Sequence, residues 1–90
     1  MVSQKVTVIN ATGLHLKPAA EFSGEACRYE SVVTFTFGDY TANAKSVLSV
    51  LAGCVKQGDT IEIVCTGPDE EEALAGMIRV VESGLGEEIV

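Results

Sequence analysis

His15 is the one histidine in the chain, and it stands in Gly13-Leu14-His15-Leu16-Lys17-Pro18-Ala19-Ala20, where a strand-like segment gives way to a helix-like one. An imidazole is a competent nucleophile near neutral pH and can carry a phosphoryl group. The residues after it supply what such a group needs. Pro18 belongs in a first helical turn, where its missing N–H is no loss. The backbone N–H groups of Leu16 and Lys17 would face an incoming anion there, and the Lys17 ammonium would neutralise phosphate oxygens as they arrive. Phosphoryl transfer asks a protein mainly for positioning and charge neutralisation, so this small group suffices if a partner enzyme supplies the rest. A histidine beside a helix start also serves as an incidental cap, and the residues alone leave both readings open.

Other chemistries fit less well. A Ser-His-Asp or Cys-His arrangement needs a partner for His15, and no cysteine or carboxylate lies near it in sequence. A single Gly13 with no GxGxxG or GxxxxGK pattern is not a nucleotide loop. One histidine makes a weak metal site, so neither metal nor cofactor is expected. Cys27, Cys54 and Cys65 are odd in number, widely spaced and set in apolar or helical surroundings, which fits reduced structural thiols.

Ninety residues with 47% hydrophobic side chains suit one domain over residues 1–90. Six basic against thirteen acidic residues give a net charge of −7, which opposes nucleic acid as a partner. Asp69, Glu70, Glu71, Glu72, Glu82, Glu87 and Glu88 place more than half of the acids in the last quarter, where the run reads as a solvated helix start. Lys17, Lys45 and Lys56 lie in or near the segments that carry chemistry. No apolar run is long enough for a membrane span and no basic segment followed by an apolar stretch opens the chain, so a cytoplasmic protein without membrane insertion is expected.

The elements that must position these residues follow from periodicity. Val6 and Val8 alternate with Thr7 and Ile9 in a first strand over roughly residues 4–9, and residues 10–13 form a loop. Ala19, Ala20, Phe22 and Ala26 give the following helix its apolar side. Val33, Phe35 and Phe37 mark a second strand, Gly38-Asp39 a hairpin turn, and residues 40–44 a third strand. Ser46 is an N-cap for a very apolar helix containing Val47, Leu48, Val50, Leu51 and Val55, ended by Gly53 or by Gln57-Gly58-Asp59. Ile61, Ile63 and Cys65 define the fourth strand. Asp69 and Glu72 read as a capping box for a third helix through Leu74, Met77, Ile78 and Val81, closed by Gly84. The βαββαβα order predicts an α+β fold with a mainly antiparallel four-stranded sheet, covered on one face by three helices and wet on the other.

The segment from Gly13 to Ala20 resembles the G-[LIM]-H-[ATS]-R-P-A active-site segment of the HPr family, the phosphocarrier proteins of bacterial phosphoenolpyruvate-dependent sugar phosphotransferase systems. Ala44-Lys45-Ser46-Val47-Leu48, Val55-Lys56-Gln57-Gly58-Asp59 and residues 66–73 resemble later HPr segments, so the similarity spans essentially the whole chain. It implies an open-faced β-sandwich with sheet order 1-4-2-3. It also implies that His15 takes phosphate on Nδ1 from enzyme I and passes it to IIA domains of sugar permeases, with Lys17 steadying the phosphate. Ser46 corresponds to the serine phosphorylated by the HPr kinase/phosphorylase of many Gram-positive bacteria. Leu16, Ala20, Val47, Leu48 and Leu51 correspond to the family's apolar docking surface. The helix itself agrees, because Val47, Leu48, Val50 and Leu51 span more of its circumference than one buried stripe requires. Transient docking of modest area suggests a monomer that meets several partners in turn.

Two departures stand out. The family nearly always has Arg at the position of Lys17, and Lys cannot form a bidentate guanidinium–phosphate fork. At Cys54 the family more often has Gly, which shifts the expected end of the second helix by a residue. Two further readings stay open: a regulatory module acting through phospho-Ser46 and a transcriptional regulator, or a nitrogen-branch HPr paralogue. The presence of His15 favours a carrier, since regulatory paralogues often lack it, and the Ala44-Lys45-Ser46 context favours the sugar branch.

Overall fold

A computed structural model describes residues 1–87 of the chain. Its elements run β1 (Val2–Thr7), α1 (Leu16–Ala26), β2 (Val32–Phe37), β3 (Tyr40–Asn43), α2 (Val47–Ala52), β4 (Thr60–Thr66) and α3 (Glu70–Glu82). The four strands pair antiparallel in the order β1-β4-β2-β3, as expected. Strand alternation points Val6, Val33, Phe35, Ile61, Ile63 and Cys65 toward the helices, where they are buried. Thr7 and Thr60 share the opposite face, joined by a hydroxyl–hydroxyl bond of 3.0 Å. Phe22 of α1 and Met77 of α3 fill the layer between sheet and helices. The Phe22 ring stands edge-on to Phe35 at 5.6 Å, and Phe35 edge-on to Tyr40 at 6.1 Å. The Tyr40 hydroxyl donates to the Ser49 carbonyl at 2.8 Å and so ties α2 to β3.

Several boundaries differ from the sequence reading. β1 begins and ends two residues earlier than residues 4–9, because its ladder with β4 starts at the Val2–Cys65 pair and closes at Thr7–Thr60. α2 stops at Ala52 with Gly53 as C-cap, so Val55 lies outside the helix that was expected to include it. The cause is Cys54, whose φ of 54° is left-handed and turns the chain out of the helix. A non-glycine residue there carries about 1 kcal/mol of backbone strain, partly offset in a Gly variant by the entropy that glycine loses on folding. Cys54→Gly is therefore expected to stabilise the protein by roughly 0.5–1 kcal/mol, read as an upward shift of a thermal or denaturant midpoint.

The predicted capping box of Asp69 and Glu72 does not form, since the Asp69 side chain makes no capping bond. Its carboxylate instead accepts from the backbone N–H of Glu30 at 3.0 Å, the N–H of Ser31 at 2.9 Å, and the Ser31 hydroxyl. Glu70, the first residue of the helix, accepts instead from the loop N–H of Gly67 at 3.0 Å. Sequence periodicity could not show this competition, because Ser31 is thirty-eight positions away. The Ser31 hydroxyl bond, with the two backbone N–H bonds, holds the Asp69 carboxyl below its ordinary value, and the Gly67 N–H bond does the same for Glu70. The unfolded chain therefore takes up protons first as pH falls. Stability from these carboxylates is complete above the ordinary carboxylate range and is lost as pH drops through their folded pKa values. Thermal midpoints are expected to fall on acidification below that range, and an Asp69→Asn variant to show a shallower fall.

Gly84 closes α3 as predicted, with a φ of 92°. Its N–H donates to the Val81 carbonyl at 3.1 Å and the Leu85 N–H to the Val80 carbonyl at 3.0 Å, the paired bonds of a Schellman motif. All three cysteines are free thiols; Cys65 is buried in the core, while Cys27 and Cys54 are exposed at helix ends. Glu88, counted among the C-terminal acids, lies outside the described residues.

Candidate functional site

The approach to His15 is held from beneath. Asn10 is fully buried, and its Nδ2 donates to the Gly13 carbonyl at 2.8 Å while Gly13 N–H donates to the Asn10 carbonyl at 3.1 Å, closing a tight turn. Gly13 has a φ of 64°, and a Cβ there would strike the Val55 carbonyl oxygen and lie 2.6 Å from the Lys56 Cα. The next residue, Leu14, is buried and donates its N–H to the Val55 carbonyl at 2.9 Å. The loop is thus seated on the connection between α2 and β4, and Val55 acts as that seat because the helix ended before it.

His15 follows as the N-cap residue of α1, with extended backbone (φ −81°, ψ −173°). Its carbonyl accepts the Ala19 N–H at 2.7 Å. Its imidazole makes no capping bond and is exposed, so the ring is not consumed by the helix. Leu16 and Lys17 occupy the first two helical positions, whose N–H groups have no carbonyl one turn back. The first turn carries no acidic residue, and the Lys17 side chain is exposed beside it. An anion reaching His15 would meet the positive end of the helix dipole with no carboxylate on that turn.

A depression of about 420 Å³ opens beside the ring, between Thr12, Leu14 and His15 on one side and Leu51, Cys54 and Lys56 on the other. Leu48 and Leu16 are 80% and 63% exposed, values that stand out for large apolar side chains. Ala20 is exposed, whereas Val47 and Leu51 are half-buried against the core. α1 is tied to the turn that precedes α2 by the Ser23 hydroxyl, which donates to the Lys45 carbonyl at 2.8 Å. Ser46 is half-buried at the N-cap of α2, and its hydroxyl accepts from Ser49 N–H at 3.3 Å. Lys45 is not at the histidine: its ammonium donates to the Tyr29 carbonyl at 2.7 Å, a structural contact behind α1. A larger groove of about 670 Å³ runs between β1 and α3 and holds none of the expected site residues.

Sequence reasoning missed Thr12 and Glu87. Glu87 accepts from Asn10 Nδ2 and from the Thr12 hydroxyl, both at 2.8 Å, across more than seventy residues of chain. No local pattern could have announced it. Among the described residues no group of three or more His, Cys, Asp or Glu is arranged to hold a metal ion, and no helix is long and apolar enough to cross a membrane.

A four-stranded antiparallel sheet, roofed on one face by three helices and carrying an exposed imidazole at the start of the first, defines a histidine-bearing open-faced sandwich. Residues 2–83 match the family described as "PTS HPr component phosphorylation site". The chain belongs to the HPr family of phosphotransferase-system phosphocarriers. It is 35% identical over 88 residues to "Phosphocarrier protein HPr" of Treponema pallidum, covering 98% of this chain and all of that one. A crystal structure of HPr from Thermoanaerobacter tengcongensis superposes with a TM-score of 0.94 at 34% identity, over 98% of this chain and 99% of that one. The "HPr-like protein Crh" of Bacillus subtilis is 38% identical over 82 residues, covering 91% and 96% of the two chains. A crystal structure of that Crh, described as a swapped, intertwined dimer, has a TM-score of 0.75 at 36% identity, over 97% of this chain and 100% of that one.

Proposed function

We propose that this chain is a phosphocarrier of a bacterial sugar phosphotransferase system, taking a phosphoryl group from phospho-enzyme I on His15 and passing it to IIA domains of sugar permeases. The observation that carries this reading is the exposed imidazole at the N-cap of α1, unused as a cap and set beside the Leu16 and Lys17 amides. The lone pair of Nδ1 forms the N–P bond as the bond between phosphorus and the donor breaks, the electron pair leaving with the donor; delivery to the IIA domain reverses the roles. Leu16 and Lys17 N–H groups and the Lys17 ammonium hold the phosphate oxygens. Leu16, Ala20, Val47, Leu48 and Leu51 form the docking surface, with Leu16 and Leu48 contributing most of its exposed apolar area. The carrier works as a monomer in the cytoplasm and is a component of a transfer chain, not a free-standing enzyme. Its domain spans residues 1–90.

Incubation with phosphoenolpyruvate and catalytic enzyme I tests this: one acid-labile phosphate per chain is expected, and a IIA domain should discharge it. A chain that takes up no phosphate would overturn the reading. Lys17→Arg is expected to raise the transfer rate several-fold, because a guanidinium can grip the phosphate through two parallel hydrogen bonds. An unchanged or lower rate would remove Lys17 from the phosphate site.

A regulatory role at Ser46 is a second reading, supported by similarity to proteins named Crh. Its hydroxyl oxygen already sits at the start of α2, so a phosphate there keeps negative charge near that helix's N–H groups and changes the charge of the docking face. Incubation with ATP and an HPr kinase/phosphorylase checks it, the expected product being an acid-stable phosphate absent from Ser46→Ala. A transcriptional regulator is the partner such a phosphoserine would serve.

A further inference from the structure

The chain does something unusual after α3. Gly84, Leu85 and Gly86 take left-handed backbone in succession, with φ of 92°, 54° and 81°. Leucine is strained in that region, and a strained residue persists where its surroundings over-determine it. Leu85 is fully buried, and Glu87 N–H donates to the Gly84 carbonyl at 3.0 Å. This hook aims Glu87 back across the molecule at the loop before His15.

One Glu87 oxygen, Oε1, accepts there from both Asn10 Nδ2 and the Thr12 hydroxyl, each at 2.8 Å. Asn10 has two amide hydrogens, and the structure uses one on the Gly13 carbonyl and the other on Glu87. Without Glu87 a fully buried amide would lose a partner, and the turn two residues before His15 would lose its brace. The other side of this loop is already seated on Val55 and Lys56. The imidazole has no capping bond of its own, so its position depends on this backbone.

We infer that Glu87 is a positioning residue for the phosphoryl transfer, bracing the Asn10–Gly13 turn so that the His15 ring stands ready for in-line attack. This inference rests on the carrier reading of His15. The Asn10 and Thr12 side-chain bonds, then the Thr12 backbone N–H and last the Lys17 charge, hold the Glu87 carboxyl below its ordinary value, so it is an anion throughout the neutral range. Glu21 of α1 lies against Gly86 and brings a like charge to the hook. A misplaced reacting group a short distance from the productive geometry slows transfer without weakening partner binding.

The experiment uses the full chain with Glu87→Ala and Glu87→Gln. Glutamine keeps an Oε1 acceptor for both donors while removing the charge. In Glu87→Ala, kcat for phosphorylation by enzyme I is expected to fall about tenfold with KM for the carrier unchanged, and Glu87→Gln to recover most of the rate. Equal loss in both variants, or loss in neither, overturns the role. Amide hydrogen exchange decides the brace whatever the kinetics do: Gly13 and Leu14 should exchange faster in Glu87→Ala while Ile63 of β4 is unchanged. Parallel acceleration at Ile63 would indicate general destabilisation and overturn the positioning role. If the parent chain itself takes no phosphate the carrier reading fails, and the positioning role falls with it even where exchange confirms the brace.

Discussion

His15→Ala is expected to abolish phosphate uptake from phospho-enzyme I while leaving thermal stability within about 0.5 kcal/mol of the parent. The separation follows from the geometry. The His15 ring is exposed and makes no capping bond, so truncating it opens no core cavity and orphans no capped helix N–H. What the residue gives the helix is its carbonyl, which accepts from Ala19 N–H, and alanine keeps that. Most core truncations would lose activity and stability together; this one should lose activity alone. Intact-protein mass after incubation with phosphoenolpyruvate and enzyme I, alongside a thermal melt, reads both quantities. Phosphate uptake by the variant would place the acceptor elsewhere.

Gly13→Ala is expected to damage both. Its φ of 64° is strained for any residue with a Cβ, and that Cβ would collide with the Val55 carbonyl and the Lys56 backbone. Backbone cannot rotate away as a flexible side chain can, so the loop must lift. Lifting it stretches the Leu14 N–H bond to Val55 and draws buried Leu14 outward. A loss on the order of 3 kcal/mol is expected from strain and displacement together, or a midpoint drop of roughly 15 °C for a domain of this size. Phosphotransfer should fall about a hundredfold, since a shift near 1 Å at a reacting group has that effect. The same substitution at Gly24, where an added Cβ meets nothing, provides the control. Equal behaviour of the two variants would show that the seating of the loop does not matter to His15.

The one-sided antiparallel sheet was legible because each strand has one buried face, and Val33, Phe35, Ile61, Ile63 and Cys65 announce theirs at a period of two, whereas the order of the strands came from the family resemblance. The site was legible at His15 because its neighbours are local in sequence: Pro18, Leu16 and Lys17 define a helix start without reference to any distant residue. What stayed hidden was tertiary. Asp69 looked like a cap until Ser31 competed for its carboxylate. Lys45 was legible only as a neighbour of Ser46, and the bond of its ammonium to the Tyr29 carbonyl could not be read from sequence. The early end of α2 had a local signal in Gly53-Cys54, but only the left-handed φ of Cys54 shows which residue makes the turn. Glu87 had none, since a glutamate beyond a helix end is unremarkable until a hook carries it to Asn10 and Thr12.

Long-range proton–nitrogen correlation spectra of the chain, recorded before and after charging with phosphoenolpyruvate and enzyme I, address the central claim most directly. The expected result is a phosphorus coupling and a large shift at Nδ1 of His15, reversed when a IIA domain is added. Phosphate on another residue, or an unchanged His15 ring in a chain exposed to active enzyme I, would contradict it.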